Sequence, residues 1–241
     1  KLLLYLMFIL AQGLNAQELL KKTFHNNEGK EVSSKRSEYT RIIQTASENG
    51  IFSFTETWKN GALKRKGFVS EYTPKFKQTG KEVTFHENGK ISTIQYIKYV
   101  SKKISIGKVQ TTLSENMSVG EFQIFYENGK LKESGEFQEP TRQDIAPRFN
   151  HPNYLVRQIA DSLGNMFLDS TGTGKINITF ANGNSVEGEY INGLKHGYRK
   201  EFYAQGKETY IEEFENGKLL TGRYINEIGK EAHYNILQIF P

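Results

Sequence analysis

Apolar and polar residues alternate along much of this chain. Ile176, Ile178 and Phe180 sit two apart, with Asn177 and Thr179 between them, and Val186 and Tyr190 repeat the spacing after a short interval. Side chains alternate across a strand, so each group shares one face of a sheet. Tyr39 to Ile43 and Ile51 to Trp58 flank Glu48-Asn49-Gly50. Tyr154 to Ala160 and Asn165 to Leu168 flank Asp161-Ser162-Leu163-Gly164. Each reads as a hairpin. Turn signals interrupt every long window, so the pattern predicts mostly antiparallel β structure, with no helix over about ten residues.

The turns themselves carry the strongest signal. Seven Asn-Gly pairs occur, at 49–50, 60–61, 88–89, 128–129, 182–183, 192–193 and 216–217. Both residues tolerate positive φ, which tight hairpin turns require. Their flanks repeat as well: Phe85-His86-Glu87-Asn88-Gly89-Lys90, Phe125-Tyr126-Glu127-Asn128-Gly129-Lys130 and Phe214-Glu215-Asn216-Gly217-Lys218 are variants of one phrase. An aromatic residue leads into Asn-Gly, and a second Gly with an aromatic neighbour follows: Gly67-Phe68, Gly135-Glu136-Phe137, Gly188-Glu189-Tyr190 and Gly222-Arg223-Tyr224. The second Gly leaves room for a neighbouring ring or backbone. Asn60, Gly61, Asn88, Gly89, Asn128, Gly129, Asn182, Gly183, Asn192, Gly193, Gly197, Asn216 and Gly217 are therefore expected to be structural turn residues.

The fullest unit runs Gly188-Glu189-Tyr190-Ile191-Asn192-Gly193-Leu194-Lys195-His196-Gly197-Tyr198. It resembles the MORN repeat, and the looser units resemble its bacterial variant in YwqK-type antitoxin-like proteins. The resemblance covers roughly 52–137 and 172–232 and is strongest at 180–224. It implies antiparallel hairpins laid side by side as elongated, twisted, largely single-layer sheets, and no catalytic residues. The phrase Tyr234-Asn235-Ile236-Leu237-Gln238-Ile239-Phe240-Pro241 resembles the lead-in to the terminal domain of TonB-family energy transducers, and Asn15-Ala16-Gln17 resembles Bacteroidetes signal sequences.

Lys1, the apolar run Leu2 to Ala11 and the polar stretch from Gln12 have the order of a secretory signal peptide. Ten apolar residues at ~1.5 Å rise fall short of a ~30 Å hydrocarbon core. Cleavage is expected near Gln17. Pro140, Pro147 and Pro152 cluster in Gln138 to Pro152. Proline cannot donate to a sheet ladder, so the sheet is expected to break there. The organisation expected is a leader over 1–16, a first array over 17–137, a proline-containing linker over 138–152, a second array over 153–235, and the start of a further segment over 236–241.

Net charge is +5 but uneven. Residues 56–108 hold 12 Lys or Arg against 4 Asp or Glu, and residues 109–241 hold 13 against 18. If Lys64, Arg65, Lys66, Lys75, Lys77, Lys98, Lys102 and Lys103 shared one surface, it would suit anionic membrane or acidic glycan. The competing and favoured reading spreads them over both strand faces as edge protection. Nucleic acid is not an expected partner, and no transmembrane helix is predicted.

Cysteine is absent, which excludes disulfides and thiolate chemistry. Gly172-Thr173-Gly174-Lys175 departs from a phosphate loop at Asp169 and Ile176 and reads as a turn. His25, His86, His151, His196 and His233 lack metal-site spacing. Asp161 and Asp169 flank a hairpin and read as turn formers rather than an acid–base pair. The stripe Tyr190, Phe202, Tyr203, Tyr210, Phe214 and Tyr224 reads as cross-strand packing, with sugar stacking as the alternative. These observations point to a non-enzymatic exported repeat protein, without cofactor or metal, that binds or spaces a protein, glycan or envelope surface. Alternatives are the extracytoplasmic repeat region of a TonB-like transducer and an antitoxin or immunity protein.

Overall fold

Fifteen strands account for nearly all regular structure among the described residues. The computed structural model describes residues 18–45, 50–106, 109–137 and 154–235, with side chains for all of these but 102–111 and 113. The leader, the proline-containing linker, residues 236–241 and Asn49 lie outside the described residues. The first strands are β1 (Leu19–His25), β2 (Tyr39–Thr45), β3 (Phe52–Trp58), β4 (Leu63–Glu71) and β5 (Lys77–Phe85). Next come β6 (Ile91–Ile106), β7 (Val109–Phe125), β8 (Leu131–Phe137) and β9 (Tyr154–Ile159). The last are β10 (Gly174–Thr179), β11 (Ser185–Ile191), β12 (Leu194–Tyr203), β13 (Glu208–Glu215), β14 (Lys218–Ile225) and β15 (Glu231–Asn235). The one helical element described is a three-residue 3-10 turn, Ser34–Arg36. The fold is all-β, as the alternation predicts. Strands follow chain order in both sheets, β1 to β9 in one and β10 to β15 in the other.

The break does not fall where the prolines suggested. β8 and β9 lie on either side of Gln138 to Pro152, yet they pair antiparallel, with Phe137 opposite Tyr154. The change of sheet comes after β9, where single bridges at Ala160–Met166 and Leu168–Gly174 replace a full strand. Proline removes donors only from its own residues, and the ladder resumes once the chain has passed them.

The chain divides into two compact units, one holding residues up to Gly89 with Ile97–Asn116, the other Lys90–Tyr96 with Met117 onward. In the first, β2, β3 and β4 align in rows across one face. Ile43, Phe54 and Gly67 form one row, with Ile43 and Phe54 fully buried. A Cβ on Gly67 would lie 2.9 Å from the Phe54 ring, so the glycine is the seat of that ring. The loop between β4 and β5 covers this face. Tyr72 meets Phe52 edge-on at 5.0 Å, and Phe76 meets Phe54 edge-on at 5.1 Å.

The second unit builds its core from β9, β10 and β11. Val156 and Ile159 pack with Leu168, Ile176, Ile178, Val186 and Tyr190. The expected alternation holds: Ile176 and Ile178 are buried on the face that Phe180 also joins. The ring-on-glycine device recurs. Phe122 pairs with Gly135, where a Cβ would stand 2.8 Å from the ring. Gly222 pairs with Tyr234, whose ring occupies the space of a Cβ.

Candidate binding site

Two kinds of turn hold these hairpins, and they use Asn differently. At Trp58 the backbone N–H donates to Ala62 O at 2.8 Å while Gly61 N–H donates to Trp58 O at 2.9 Å. This is a three-residue loop in which only the glycine is left-handed, at φ 86°. The same bonds recur at Tyr126 and Phe180, and the second of them at His86. Asn60, Asn128 and Asn182 have negative φ here; each side chain accepts the N–H two residues on, at 2.9, 2.9 and 3.1 Å. Asp161 and Asp169 serve the same need from the position that Trp58 holds, the residue just before the loop. Asp161 accepts from Leu163 and Asn165 N–H, and Asp169 from Thr171 and Thr173 N–H. Their carboxyls are held below the usual range, by the Asn165 amide at Asp161 and the Thr171 hydroxyl at Asp169. Gly172 closes the second of these turns, so the first half of the glycine-rich stretch is a turn as expected, while Gly174 and Lys175 open β10.

Asn192-Gly193 and Asn216-Gly217 differ. Both residues of each pair are left-handed, at φ 51° and 79°, then 49° and 81°. These are two-residue hairpin loops of the mirror-image type. Gly193 is also wedged against backbone: its N–H donates to Gly172 O at 3.0 Å, its carbonyl accepts from Val156 N–H at 2.8 Å, and a Cβ would lie 2.6 Å from Val156 O. Gly197 is left-handed too, at φ 61°.

The described basic residues do not all share one face. Arg41, Glu56 and Arg65 lie in register across β2, β3 and β4. Glu56 is fully buried and accepts from Arg41 Nε at 2.8 Å and from Arg65 Nε and Nη2 at 2.9 and 2.8 Å. Arg65 also reaches Glu82 at 3.0 Å, and Glu82 accepts from Gln78. Burial pushes the Glu56 carboxyl up, but the Arg65 hydrogen bonds and charge, followed by Arg41, outweigh it and hold it below the ordinary range. Lys64 rests on the Tyr39 ring at 3.6 Å and the Trp58 ring at 4.4 Å. Lys66 points to the face opposite Arg65, with its ammonium 5.8 Å from the Phe85 ring centre. Lys77 pairs with Glu71. Lys75 and Lys98 are exposed at the surface. The side chains of Lys102 and Lys103 lie outside the described ones. Ion pairing takes Arg65 inward, and the register shift between Glu56 and Thr57 in the β3–β4 ladder leaves Lys64 on the same side, 3.9 Å from Glu56.

The second unit holds two features that open to a partner. One is a cavity of about 200 Å³ between β8–β9 and β10–β12, lined among others by Glu133, Tyr154, Phe180, Tyr190, Arg199 and Glu201. Arg199 donates to Tyr190 Oη at 3.1 Å and to Glu201 at 2.7 Å. Burial pushes the Glu133 carboxyl above its ordinary range, against the pull of Lys132, Arg199 and Lys195. Burial also raises the Tyr154 phenol well above its usual value.

The other is a ladder of tyrosines and glutamates on β12–β15. Tyr203 meets Tyr210 edge-on at 5.7 Å, and Tyr210 lies 5.0 Å from Tyr224. Tyr203, Tyr224 and Tyr234 donate their hydroxyls to Glu201, Glu208 and Glu212 at 2.8, 2.6 and 2.8 Å. The glutamate bonds lift the Tyr203 and Tyr224 phenols to about 12. Of the stripe seen in the sequence, Tyr190 and Phe214 are buried, Phe202 points to the other face, and the rest form this ladder. The glutamates were not singled out from the sequence. Their signal is the register: Glu201 opposite Tyr210, and Tyr203 opposite Glu208.

Residues 78–99 and 118–139 match the MORN repeat variant. Both matched stretches contain the Phe-x-Glu-Asn-Gly-Lys phrase around Gly89 and Gly129. The long strands β6 and β7 take up most of the 40-residue spacing between those glycines. The stretch at 180–224, which carries the fullest resemblance, lies outside the matched residues; beside the three-residue loop at Gly183 it turns on the two-residue loops at 192–193 and 216–217. No curated protein matches the chain significantly. No cluster of metal-ligating side chains occurs among the described residues, and no described helix is long and apolar enough to cross a membrane.

Proposed function

We propose that this MORN-repeat chain is a non-enzymatic binding module, exported to the periplasm or cell surface, where it holds an extended envelope partner. The tyrosine–glutamate ladder carries the reading. It repeats similar side chains strand after strand, and its rings are half-buried or, at Tyr203, exposed, leaving part of each face open. Such a ladder suits a partner that repeats along its own length. Export rests on the leader-like order of residues 1–16. The terminal phrase from Tyr234 favours a second reading, the repeat region of a TonB-like transducer, which the downstream reading frame would test.

A photo-crosslinking residue placed in cells at Tyr203 or Tyr224 tests the binding face, with Tyr198 on the opposite face as reference. Adducts specific to the ladder positions are expected; equal labelling from Tyr198 would remove the ladder as the binding face. Mass spectrometry of the exported protein should find its amino terminus near Gln17. Retention of Leu2 to Leu14 would overturn the leader.

A further inference from the structure

The cavity beside β8 and β9 has an unusual polar inventory. Glu133 and Tyr154 face it from neighbouring strands. Neither the Glu133 carboxyl nor the Tyr154 hydroxyl makes a hydrogen bond to another described residue. Both residues are half-buried, so these groups are open to hydrogen bonding by a molecule that enters the cavity. Tyr190 and Glu201, by contrast, are already bonded to Arg199. The cavity therefore presents one carboxyl and one hydroxyl without a protein partner, toward opposite ends of the β8–β9 ladder on one face.

Charge narrows the class of occupant. Glu133 and Glu201 bring two carboxyls, while Lys132 and Arg199 bring two cations. The Lys132 ammonium sits 4.9 Å from the Phe180 ring centre, so the cation–π position on that wall is already taken. An ammonium ligand would meet Lys132 and Arg199, and an anion would meet Glu133 and Glu201. A neutral ligand avoids both. The rings of Phe180, Tyr154 and Tyr190 supply apolar walls. The volume is below the roughly 300–1,000 Å³ of pockets for drug-sized molecules, so it takes one ring rather than a chain.

We propose that this cavity binds a single neutral sugar ring, one unit of a glycan, with hydroxyls bonded to Glu133 and Tyr154 and a C–H face against the aromatic wall. The proposal rests on the binding-module reading and names its partner as a polysaccharide. Sugar hydroxyls both donate and accept, which matches one carboxyl and one phenol. The same ring offers apolar C–H faces to the walls.

The test is calorimetric titration of the full chain with cellotriose, maltotriose and chitotriose, with spermidine and inorganic phosphate as charged probes. Saturation of one site by at least one trisaccharide is expected. Tyr154→Phe, which keeps the ring and removes the hydroxyl, should weaken it at least tenfold. Glu133→Leu should do the same without lowering the thermal midpoint. Tyr210→Phe, outside the cavity, should leave affinity unchanged. The proposal is overturned if no trisaccharide binds at millimolar concentration, if Tyr154→Phe binds as the parent does, or if spermidine or phosphate takes the site instead. Sugar binding can fail while crosslinking at Tyr224, which lies outside the cavity lining, succeeds, so the two readings are separable.

Discussion

Glu56 and Glu133 are both withdrawn from bulk water, yet their neighbours push them in opposite directions. Glu56 has two guanidiniums; its carboxyl is held low, so its contribution is present above the ordinary carboxylate range and is lost as pH falls through its folded value. Glu133 has no hydrogen bond and is held high, so folding is favoured by its protonated form and loses stability as pH rises above the ordinary range. Two opposite outcomes follow in thermal melts. Arg65→Ala should lose about 3–5 kcal/mol at neutral pH, since it strips Glu56 and Glu82 of a partner, and the loss should shrink in acid. Glu133→Gln should raise the midpoint at neutral pH and do little at pH 4. A loss of stability in Glu133→Gln at neutral pH would contradict the assignment. None of this was visible in the sequence. Arg65 sits in a run, Lys64-Arg65-Lys66, that looks uniformly solvated. Only the register across β3 reveals that its middle member has an acid opposite it.

At the scale of the hairpin, most of the structure was legible. Asn-Gly marks the turns, and period-two alternation marks the faces of β10 and β11. What the spacing hid was the difference between the two loop types, because the same dipeptide serves both. In the three-residue loop the Asn works through its side chain and only Gly needs a left-handed backbone. In the two-residue loop both residues need it. Gly61→Asn should therefore be close to neutral, since Asn tolerates positive φ and nothing lies within 4 Å of a Cβ there. Gly193→Asn should cost on the order of 1–3 kcal/mol, because its Cβ meets Val156 backbone whatever its φ. Equal midpoints for the two variants would refute the wedge at Gly193.

Across the whole molecule, the count of charges says less than the count of turns. Residues 56–108 are strongly basic in sequence. Strand alternation divides them between faces, and pairing uses Arg65 and Lys77 internally. Full-length protein is accordingly expected to show little salt-dependent cosedimentation with phosphatidylserine vesicles; strong binding at low salt, lost at physiological salt, would restore a basic surface. The repeats were legible because each is written in contiguous residues. The candidate cavity was not, since Glu133, Tyr154 and Arg199 come from separate hairpins that share no local phrase.

The pairing of β8 with β9 means that what repeats is not what folds. A cut anywhere between Phe137 and Tyr154 would separate the two partners of a ladder, and would leave Val156 and Ile159 on the carboxy-terminal piece. The halves of such a nicked protein should stay together as a noncovalent complex, complementing each other like a split reporter, and should part only when the fold is denatured. A protease site inserted between these strands, followed by size-exclusion chromatography, would show one peak before denaturation and two after. Gene fusions that exchange the arrays at this proline-rich junction would then be exchanging half a ladder.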